Sequence, residues 1–565
     1  MFKVSLRSKD MKKLSLIVTI LVLALTLSAC QRETEEEVGE TYDFLSLFPN
    51  HRNYYQILVR SFADGNGDGI GDFIGLKEAL PHLADLGIEG LWLLPIHPSP
   101  SYHGYDVTDF RAINPDYGTM EDFEAFIAEA QRLNIDVVID YVINHSSNQH
   151  PWFQNFKQGI APYDQFYRRI DNTDPRWNTR GSWGQSIWHS LGDGTAYVGY
   201  FGGYMPDLNW SNDALVEEMI DIGLFWLEKG VSGFRLDAAL HLLANNEVPS
   251  STPALEETLF MLEYFEFRLK EKFPDTFIVG EIWDAFSIYN MFYRSMDSVF
   301  HFDFGHLVVN TINTGSNRNY ADQIVRWHNQ AQAVDDVVIE APFLRNHDQN
   351  RLASASSPGS PNLGPNAHPD KLRLAAEMLL TVPGSPFIYY GEELGMKGEA
   401  SGRAPTWDST IRLPYLWDDE RQPTWTFDRF GFVDTFNVDV PTLPEQQADP
   451  LSLFNTYRTL LHLRQAHPAL RLGTIEAFEE NHAGLQGFYR IFEYSTFQEV
   501  VLVLHNVSDE TLNVTRLPEG EMIYLSAHLE DFPALEQLNQ TLDIGPRSTL
   551  MIRLSETAME RFFNE

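Results

Sequence analysis

Between residues 52 and 394 the chain alternates short apolar runs with longer amphipathic stretches, and this alternation limits its fold most strongly. The apolar runs are as long as strands and lack a polar face, which is typical of strands buried on both faces of a parallel sheet. Eight such runs begin YYQI, IEGL, IDVV, VSGF, TFIV, SVFH, DVVI and SPFI. Helical patterns lie between several of them, at Asp122–Leu133, Asn212–Glu228, Leu255–Lys272 and Lys371–Leu380. The repeat predicts an α/β fold, a (β/α)8 barrel of the TIM type.

Two parts of the chain depart from this repeat. Residues 146–209, after the third strand, are rich in Trp, Gly, Asp and Asn, and a structureless loop of that length is uncommon. We therefore predict an inserted domain there. Past residue 470, runs such as GFYRIFEYS and EVVLVLHNVS predict a C-terminal antiparallel β-sandwich. The predicted boundaries are 51–145 and 210–470 for the barrel, 146–209 for the insertion and 471–565 for the sandwich.

The N-terminal segment MKKLSLIVTILVLALTLSAC has the form of an export signal. Lys12 and Lys13 precede an apolar run, Leu14–Leu27, that is short for a membrane span but typical of a signal peptide. The run ends in LSAC, which resembles the lipobox of bacterial lipoproteins, where the cysteine is lipidated. We predict a signal peptide over 1–30, a lipid on Cys30, a tether over 31–50, and a location at the cell membrane facing outside. A plain secretory signal or an uncleaved anchor is the alternative.

The composition restricts the partners. Lys and Arg number 41 against 79 Asp and Glu, which gives a formal net charge of −38. Such a surface repels nucleic acid, so no nucleic-acid partner is expected. Aromatic residues make up 13% of the chain, more than enough to allow stacking on sugar rings as well as core packing. The oligomeric state is left open.

Polar residues gather where the predicted strands end, and active sites of this fold lie at those ends. Arg235 and Asp237 in GFRLDAALH share one face of a strand, and burying two charges requires that they be paired. Other strands end in Asp140 with Asn144 and His145, in Glu281, and in His347 with Asp348. We expect these side chains to converge at the mouth of the barrel.

The segments DYVINH, GFRLDAALH, GEIW and RNHDQ stand in the order and at the strand ends of the α-amylase family of glycoside hydrolases. MPDLN and VPGSPFIYYGEE resemble two further segments of that family. The resemblance covers roughly residues 50 to 470, and it is close to the oligo-1,6-glucosidase and neopullulanase-like branches. It implies that Asp237 is the nucleophile, Glu281 the general acid/base and Asp348 a carboxylate that holds sugar hydroxyls. It assigns substrate contacts to Tyr105, His145, Arg235 and His347.

These roles fit a retaining glycosidase, which needs one ionised and one protonated carboxyl group about 5–5.5 Å apart. Arg235 would favour the ionised form of Asp237, and the apolar neighbours of Glu281 would raise its pKa. The family resemblance therefore predicts an enzyme that hydrolyses α-glucans. A non-catalytic, membrane-anchored amylase-like partner protein is a remote alternative, because such chains typically lack part of the acid set.

The residues around HGYD bear on where a glucan is cut. Exo-acting relatives resemble one another in an Asp two residues before this Gly, which pairs with an Arg beyond the HD motif and closes the pocket. Here Tyr102 stands at that place, which leaves Arg351 without its partner. Tyr102, His103, His241 and Arg351 are further substrate candidates. We predict endo-acting hydrolysis of α-1,4 bonds; the alternatives are an exo-acting α-glucosidase or oligo-1,6-glucosidase, a neopullulanase-like enzyme, or a cleft closed by another acid, such as one from the Gly359–Pro369 loop.

The segment DGNGDGIGD has the oxygen ligands and the glycines of a Ca²⁺ loop. The predicted ligands are Asp64, Asn66, Asp68, the Ile70 carbonyl and Asp72. A glycine-rich turn with solvated acids is the alternative. The family resemblance suggests a second Ca²⁺ site formed by Asn144, Asp207 and the His241 carbonyl.

Overall fold

The computed structural model describes residues 43–242, 252–316, 319–335, 337–357, 361–400, 408–424, 434–479, 482–527, 534–535 and 540–564. Cys30, the predicted signal peptide and most of the predicted tether lie outside these residues. The chain forms two units, residues 1–47 and 48–565, and the larger one contains all the strands of the described ranges. Within the described ranges, no helix is long and apolar enough to cross a membrane.

The strands are numbered in chain order. They are β1 Tyr54–Ile57, β2 Gly90–Leu93, β3 Asp136–Tyr141, β4 Arg169–Asp171, β5 Trp188–Ser190, β6 Thr195–Val198, β7 Gly233–Leu236, β8 Phe277–Gly280, β9 Ser298–His301, β10 Ile339–Pro342, β11 Phe387–Tyr389, β12 Thr474–Ala477, β13 Leu485–Tyr494, β14 Phe497–Asn506, β15 Leu512–Leu517, β16 Gly520–Leu525, β17 Ala534–Leu535, β18 Gln540–Ile544 and β19 Ser548–Leu554.

Eight of these strands form one parallel sheet in the order β10-β9-β8-β7-β3-β2-β1-β11. Phe343, which follows β10, makes a parallel bridge to Phe387 of β11, so the two edges of the sheet meet. Every residue of β1, β2 and β7 is buried, as expected for strands between an outer layer of helices and a filled interior. The predicted (β/α)8 barrel is confirmed.

The α-helices are likewise numbered in chain order. They are α1 Phe44–Leu47, α2 Val59–Phe62, α3 Phe73–Leu86, α4 Met120–Arg132, α5 Pro151–Lys157, α6 Asp213–Glu228, α7 Thr252–Lys270, α8 Phe286–Tyr289, α9 Phe302–Thr314, α10 Tyr320–Gln332, α11 Pro369–Thr381, α12 Leu443–Ala448, α13 Leu453–Ala466, α14 Pro468–Leu472 and α15 Glu556–Asn564. The four helical patterns singled out in the sequence correspond to α4, α6, α7 and α11. Local capping defines their starts: Thr119 and Asp122, for example, form a capping box at α4.

Between β3 and β7 the chain forms a small unit of its own. Its antiparallel sheet has the order β4-β6-β5, and α5 precedes it. Its core consists of Ile170, Ile187, Trp188, Ala196, Val198 and Tyr200. The sequence predicted no helix here, and α5 is a difference: seven residues are too few for a helical period to stand out.

The C-terminal part is antiparallel. A six-stranded sheet has the order β12-β13-β14-β19-β16-β17, and β15 pairs with β18 in a second sheet. This agrees with the predicted β-sandwich. Its core includes Val500, Leu502, Leu550 and Ile552. The amphipathic helix α15 was not predicted from the sequence. It packs Phe562 against Tyr489 of the sheet, with ring centroids 4.9 Å apart.

Candidate active site

The carboxyl groups predicted to react lie at the C-terminal ends of barrel strands, and Arg235 of β7 joins them. Its Nη1 lies 2.8 Å from Asp140 Oδ1 and 2.6 Å from Asp237 Oδ1. Its Nη2 lies 2.9 Å from Glu281 Oε2. Arg235 is 1% exposed and Asp140 is fully buried, so this is a desolvated cluster of three carboxyl groups around one cation. The predicted Arg235–Asp237 pair is part of a larger arrangement.

The backbone after the nucleophile candidate is strained. Ala238 has φ 47° and ψ 37°, in the left-handed region, which costs of order 1 kcal/mol or more for a residue with a Cβ. This conformation directs the Ala238 N–H towards Glu281, whose Oε2 accepts it at 3.1 Å. Strain of this kind is retained where it positions functional groups, and here it links the residues after β7 and β8.

Burial sets the protonation of the carboxyl groups. Desolvation raises the pKa of Asp237 and of Glu281, and the Arg235 guanidinium opposes both shifts without cancelling them. Burial likewise raises the pKa of Asp140 to about 7 and that of Asp348 to about 6. Because carboxyl groups outnumber guanidinium groups in the cluster, it holds protons more tightly than free carboxylates would.

A hydrogen-bonded chain fixes the ring of His347. Gln56 Nε2 of β1 donates to His347 Nδ1 at 2.7 Å, so the proton of the neutral ring lies on Nε2. His347 Nε2 lies 2.6 Å from the Tyr105 hydroxyl and 3.1 Å from Asp348 Oδ2. The Tyr105 hydroxyl in turn donates to Asp140 Oδ2 at 2.9 Å. The sequence analysis gave Asp140 no role and did not include Gln56, although a Gln inside the apolar run YYQI was a usable signal.

The turn HGYD brings its two rings to the same side. Gly104 has φ +85°, and a Cβ there would lie 2.8 Å from the Pro95 side chain, so glycine is required. The Tyr105 backbone N–H donates to His103 Nδ1 at 3.1 Å. The Tyr105 ring stacks on His347, with centroids 5.7 Å apart and planes 12° apart. Tyr105 thus lies beside the acid cluster, and its role as a sugar-stacking platform stays a prediction.

His145 and His241 lie at the border with the inserted unit. Phe201 packs against both rings, with centroid distances of 5.5 Å to His145 and 5.3 Å to His241. Burial lowers the pKa of each histidine to about 4, so both rings are neutral near pH 7. Within the described chain, His145 Nε2 and His241 Nδ1 are buried and have no hydrogen-bond partner. Such atoms are suited to contact a sugar hydroxyl.

Two arginines lie near the ends of β10 and β11, and Arg412, which was not among the predicted site residues, contacts Asp348. Arg351 donates to the backbone carbonyls of Ile411 and Tyr390 and stacks on Tyr389, so it fixes the backbone after β11. Arg412 Nη2 lies 2.9 Å from Asp348 Oδ1, and its Nε donates to the His347 carbonyl at 2.9 Å. The role of Arg351 as a substrate contact stays a prediction.

Tyr102 also has a partner that the sequence did not reveal. Its hydroxyl donates to Asp408, and Asp408 lies 2.7 Å from Arg412 Nη2. The Arg412 guanidinium lies 5.8 Å from the centroid of the Tyr102 ring. An acid and an arginine are therefore paired beside Tyr102, and both come from the segment after β11, not from the Gly359–Pro369 loop.

The predicted calcium loop is closely folded around its acids. Asp64 accepts hydrogen bonds from the backbone N–H groups of Gly67 and Gly69, each at 2.7 Å. Asp72 caps α3 by accepting from Gly75 at 2.7 Å, and burial raises its pKa. Within the described ranges, no three His, Cys, Asp or Glu side chains lie close enough to hold a metal. The donor set contains only oxygens, the ligand type that Ca²⁺ takes, and calcium stays a prediction.

Two residues of the second suggested calcium site, Asn144 and Asp207, are hydrogen-bonded to each other. Asn144 Nδ2 lies 3.4 Å from Asp207 Oδ1, and Asp207 also accepts from the Tyr200 N–H. Burial raises the pKa of Asp207 to about 7. The His241 ring packs on Tyr200, with centroids 4.5 Å apart. This site also stays a prediction.

Known proteins resemble this chain over most of its length. The family model "Alpha amylase, catalytic domain" matches residues 56–473. Alpha-amylase 3 of Dictyoglomus thermophilum is 34% identical over 508 residues, which is 89% of this chain and 93% of that protein. The 4-alpha-glucanotransferase of Thermotoga maritima is 32% identical over 81% of this chain and 96% of its own length. The crystal structure of the alpha-amylase from H. orenii superimposes with a TM-score of 0.77 at 32% identity, covering 90% of this chain and all of that one. The chain belongs to the α-amylase family, whose enzymes act on glycosidic bonds of α-glucans.

Proposed function

We propose that this enzyme hydrolyses α-1,4-glucosidic bonds of starch-like glucans and maltooligosaccharides, with retention of configuration. The supporting observation is that Arg235 forms ion pairs with both acids, with Asp237 through Nη1 and with Glu281 through Nη2. Sharing one guanidinium brings both carboxyl groups to the same site. A retaining mechanism needs them about 5–5.5 Å apart, whereas an inverting enzyme leaves a gap of about 6.5–9.5 Å for a water.

In this proposal Asp237 attacks the anomeric carbon while protonated Glu281 donates its proton to the departing oxygen. The bond to the leaving sugar breaks as the bond to Asp237 forms. Glu281, now ionised, then takes a proton from water, and the resulting hydroxide displaces Asp237. Burial raises the pKa of both carboxyl groups; in this proposal Arg235 offsets the shift at Asp237 and favours its carboxylate, whereas the raised pKa of Glu281 favours its protonated form at the start of the cycle.

Asp348, His347 and His145 hold the sugar in this proposal. Asp348 is bound by Arg412 and His347, and its side chain is 27% exposed, so it can still reach a substrate hydroxyl. His347 has a fixed ring, and the free Nε2 of His145 adds another hydrogen-bonding atom. Holding the sugar in the reactive geometry is itself a large part of the catalysis.

We propose internal cleavage, because Tyr102 stands where exo-acting relatives carry the pocket-closing Asp. Its hydroxyl is turned to Asp408. One observation favours exo action as a second candidate: the Asp408–Arg412 ion pair, 2.7 Å across, lies beside Tyr102 and Asp348. This acid–arginine pair could close the cleft in the way that such a pair does in exo-acting relatives.

Simultaneous measurement of viscosity and reducing ends on amylose separates these modes. For internal cleavage, viscosity is expected to fall much faster than reducing ends form, and Asp408→Asn should leave this ratio unchanged. Release of glucose from the outset with viscosity maintained would contradict internal cleavage. If Asp408→Asn then moved the enzyme towards internal cuts, the ion pair would be identified as the block.

We propose that the loop 64–72 binds Ca²⁺ through the oxygens of Asp64, Asn66, Asp68, Ile70 and Asp72. A ligand at about 100 times its Kd stabilises a fold by about 2.7 kcal/mol. Chelation with EDTA is therefore expected to lower the thermal midpoint by several degrees, and added Ca²⁺ should restore it. Asp64→Ala should be insensitive to both, whereas the exposed-site control Asp193→Ala should respond as the wild type does. An unchanged wild-type midpoint would rule out the site.

We also propose that Cys30 carries lipid and holds the enzyme at the outer face of a bacterial cell membrane. The support is the sequence LSAC after the apolar run Leu14–Leu27. The charged segment that comes next in the chain would separate the barrel from the bilayer.

A further inference from the structure

We propose that Trp183, on the inserted unit, is a stacking platform for an α-glucan chain that extends beyond the catalytic pocket. The inference rests on the proposed function, because it extends the same site outwards. Trp183 is 68% exposed, whereas Trp92, Trp210, Trp226 and Trp417 are fully buried. Exposing so large an apolar side chain forgoes a favourable burial energy, and aromatic rings in this state are enriched at binding surfaces.

Exposure alone does not select Trp183. Phe260 and Phe267 on α7 are 68% and 60% exposed, respectively, and within the described ranges neither ring packs on an aromatic residue of the active site. Trp183 differs from both phenylalanines in its position; Trp283 and Tyr204 are also exposed near the site, but less, at 53% and 41%. The Trp183 ring packs on Phe201 with centroids 5.8 Å apart, and Phe201 contacts both His145 and His241. Trp183 is therefore connected to His145 through one intervening ring, Phe201. A short oligosaccharide could span this distance.

The loop that carries Trp183 is built to present it. The Gly181 N–H donates to the Gln185 carbonyl at 3.0 Å, and the Gly184 N–H donates to the Gly181 carbonyl at 2.9 Å. Gly184 has φ +75°, which a glycine adopts without strain. The Trp183 N–H itself donates to Gln185 Oε1 at 3.0 Å. The turn is thus closed by three hydrogen bonds of its own.

The turn is also fixed to the rings beneath it. Gln185 Nε2 donates to the Tyr200 carbonyl at 3.1 Å, and the Ser182 hydroxyl lies 2.7 Å from that of Tyr200. Trp183 packs against Tyr200 at 5.6 Å between centroids, and Tyr200 packs against His241 at 4.5 Å. A ring held in place loses little entropy on binding, so stacking on a sugar there contributes more fully to affinity.

Two histidine nitrogens lie along the path from Trp183 to the active site. His145 Nε2 and His241 Nδ1 are buried without a partner in the described chain, and both rings lie against Phe201. A glucan has apolar ring faces for Trp183 and hydroxyl groups for the two histidines. That combination of surfaces matches a neutral polyhydroxylated chain.

The test compares wild type, Trp183→Ala and Trp183→Phe on maltooligosaccharides from maltotriose to maltoheptaose. For Trp183→Ala, the loss of kcat/KM is expected to grow with chain length and to reach about tenfold for maltoheptaose. Trp183→Phe should recover most of it, since a smaller ring can still stack. Phe267→Ala is the matched control and should show the wild-type dependence on chain length. A loss that is equal at all lengths, or no loss, would overturn the platform.

Binding without turnover keeps this test separate from the proposed function. In the Glu281→Gln background, maltoheptaose is expected to change the tryptophan fluorescence. Trp183→Phe should abolish most of that change with little loss of affinity, whereas Trp183→Ala should weaken binding. Unchanged affinity in the Glu281→Gln, Trp183→Ala double variant would overturn the platform even if the wild type hydrolyses α-glucans. Failure of the proposed function would appear differently, as a wild type that cleaves no member of the series.

Discussion

Asp237→Asn is expected to lower kcat on maltooligosaccharides by about 10⁴-fold or more, the scale seen when a member of a catalytic unit is removed. The amide cannot displace the leaving sugar, although it keeps the size of the carboxyl group. The fold should persist, because Arg235 still pairs with Asp140 and Glu281. Removing one of three crowded carboxyl groups also relieves repulsion, so the thermal midpoint should stay level or rise.

Steady-state kinetics and thermal unfolding of the same preparation check this result. Asp193→Asn, the same chemical change at an exposed position of the inserted unit, serves as the control and should keep full activity. Activity of Asp237→Asn above about one per cent of the wild type would contradict its role as nucleophile. A collapse of its thermal midpoint would contradict the account of the Arg235 cluster.

Arg235→Met is expected to reduce the free energy of unfolding by about 3–5 kcal/mol, because it leaves buried carboxyl groups without a countercharge. Those groups would then take up protons, and their pKa values would rise further. A carboxyl group whose folded pKa is raised contributes stability below its unfolded pKa, near 4, and loses it as pH rises towards the folded value. The deficit should therefore be larger at pH 7 than at pH 5.

Urea unfolding of wild type and variant at both pH values measures the deficit directly. Arg268→Met is the matched control, because Arg268 pairs with half-exposed Glu217 at the surface and should contribute no more than about 1 kcal/mol. An equal deficit for Arg235→Met at pH 5 and pH 7 would show that lost packing against Trp92, not charge, explains the effect.

The sequence predicts the parts of this molecule that depend on local pattern. Buried parallel strands appear in the sequence as apolar runs. Acidic residues that follow these runs lie together at the C-terminal face of the barrel, because all eight strands end there. Asp237 and Glu281 could therefore be brought together from the sequence alone. The motif after β10 likewise placed His347 beside Asp348.

The side-chain contacts that the sequence did not predict join segments that are far apart in the chain. Arg351 is only three residues from Asp348, yet its side chain turns to the backbone of Ile411 and Tyr390. Arg412 lies 64 residues from Asp348 in the chain and reaches it because the segment after β11 folds back over the barrel. No spacing or periodicity indicates which of two arginines will make such a contact. The Tyr102–Asp408 hydrogen bond joins residues 306 positions apart and is equally invisible to local pattern.

The central claim is that Asp237 and Glu281 act as a retaining pair, and the configuration of the first product tests it most directly. Proton NMR during the first minutes of maltoheptaose hydrolysis, before mutarotation equilibrates the sugars, resolves the α and β anomers at the new reducing end. Double displacement through Asp237 predicts that the α-anomer forms first and the β-anomer appears only as mutarotation proceeds. Initial formation of the β-anomer would mean that water attacks the sugar directly, and it would contradict the assignment of Asp237 as nucleophile.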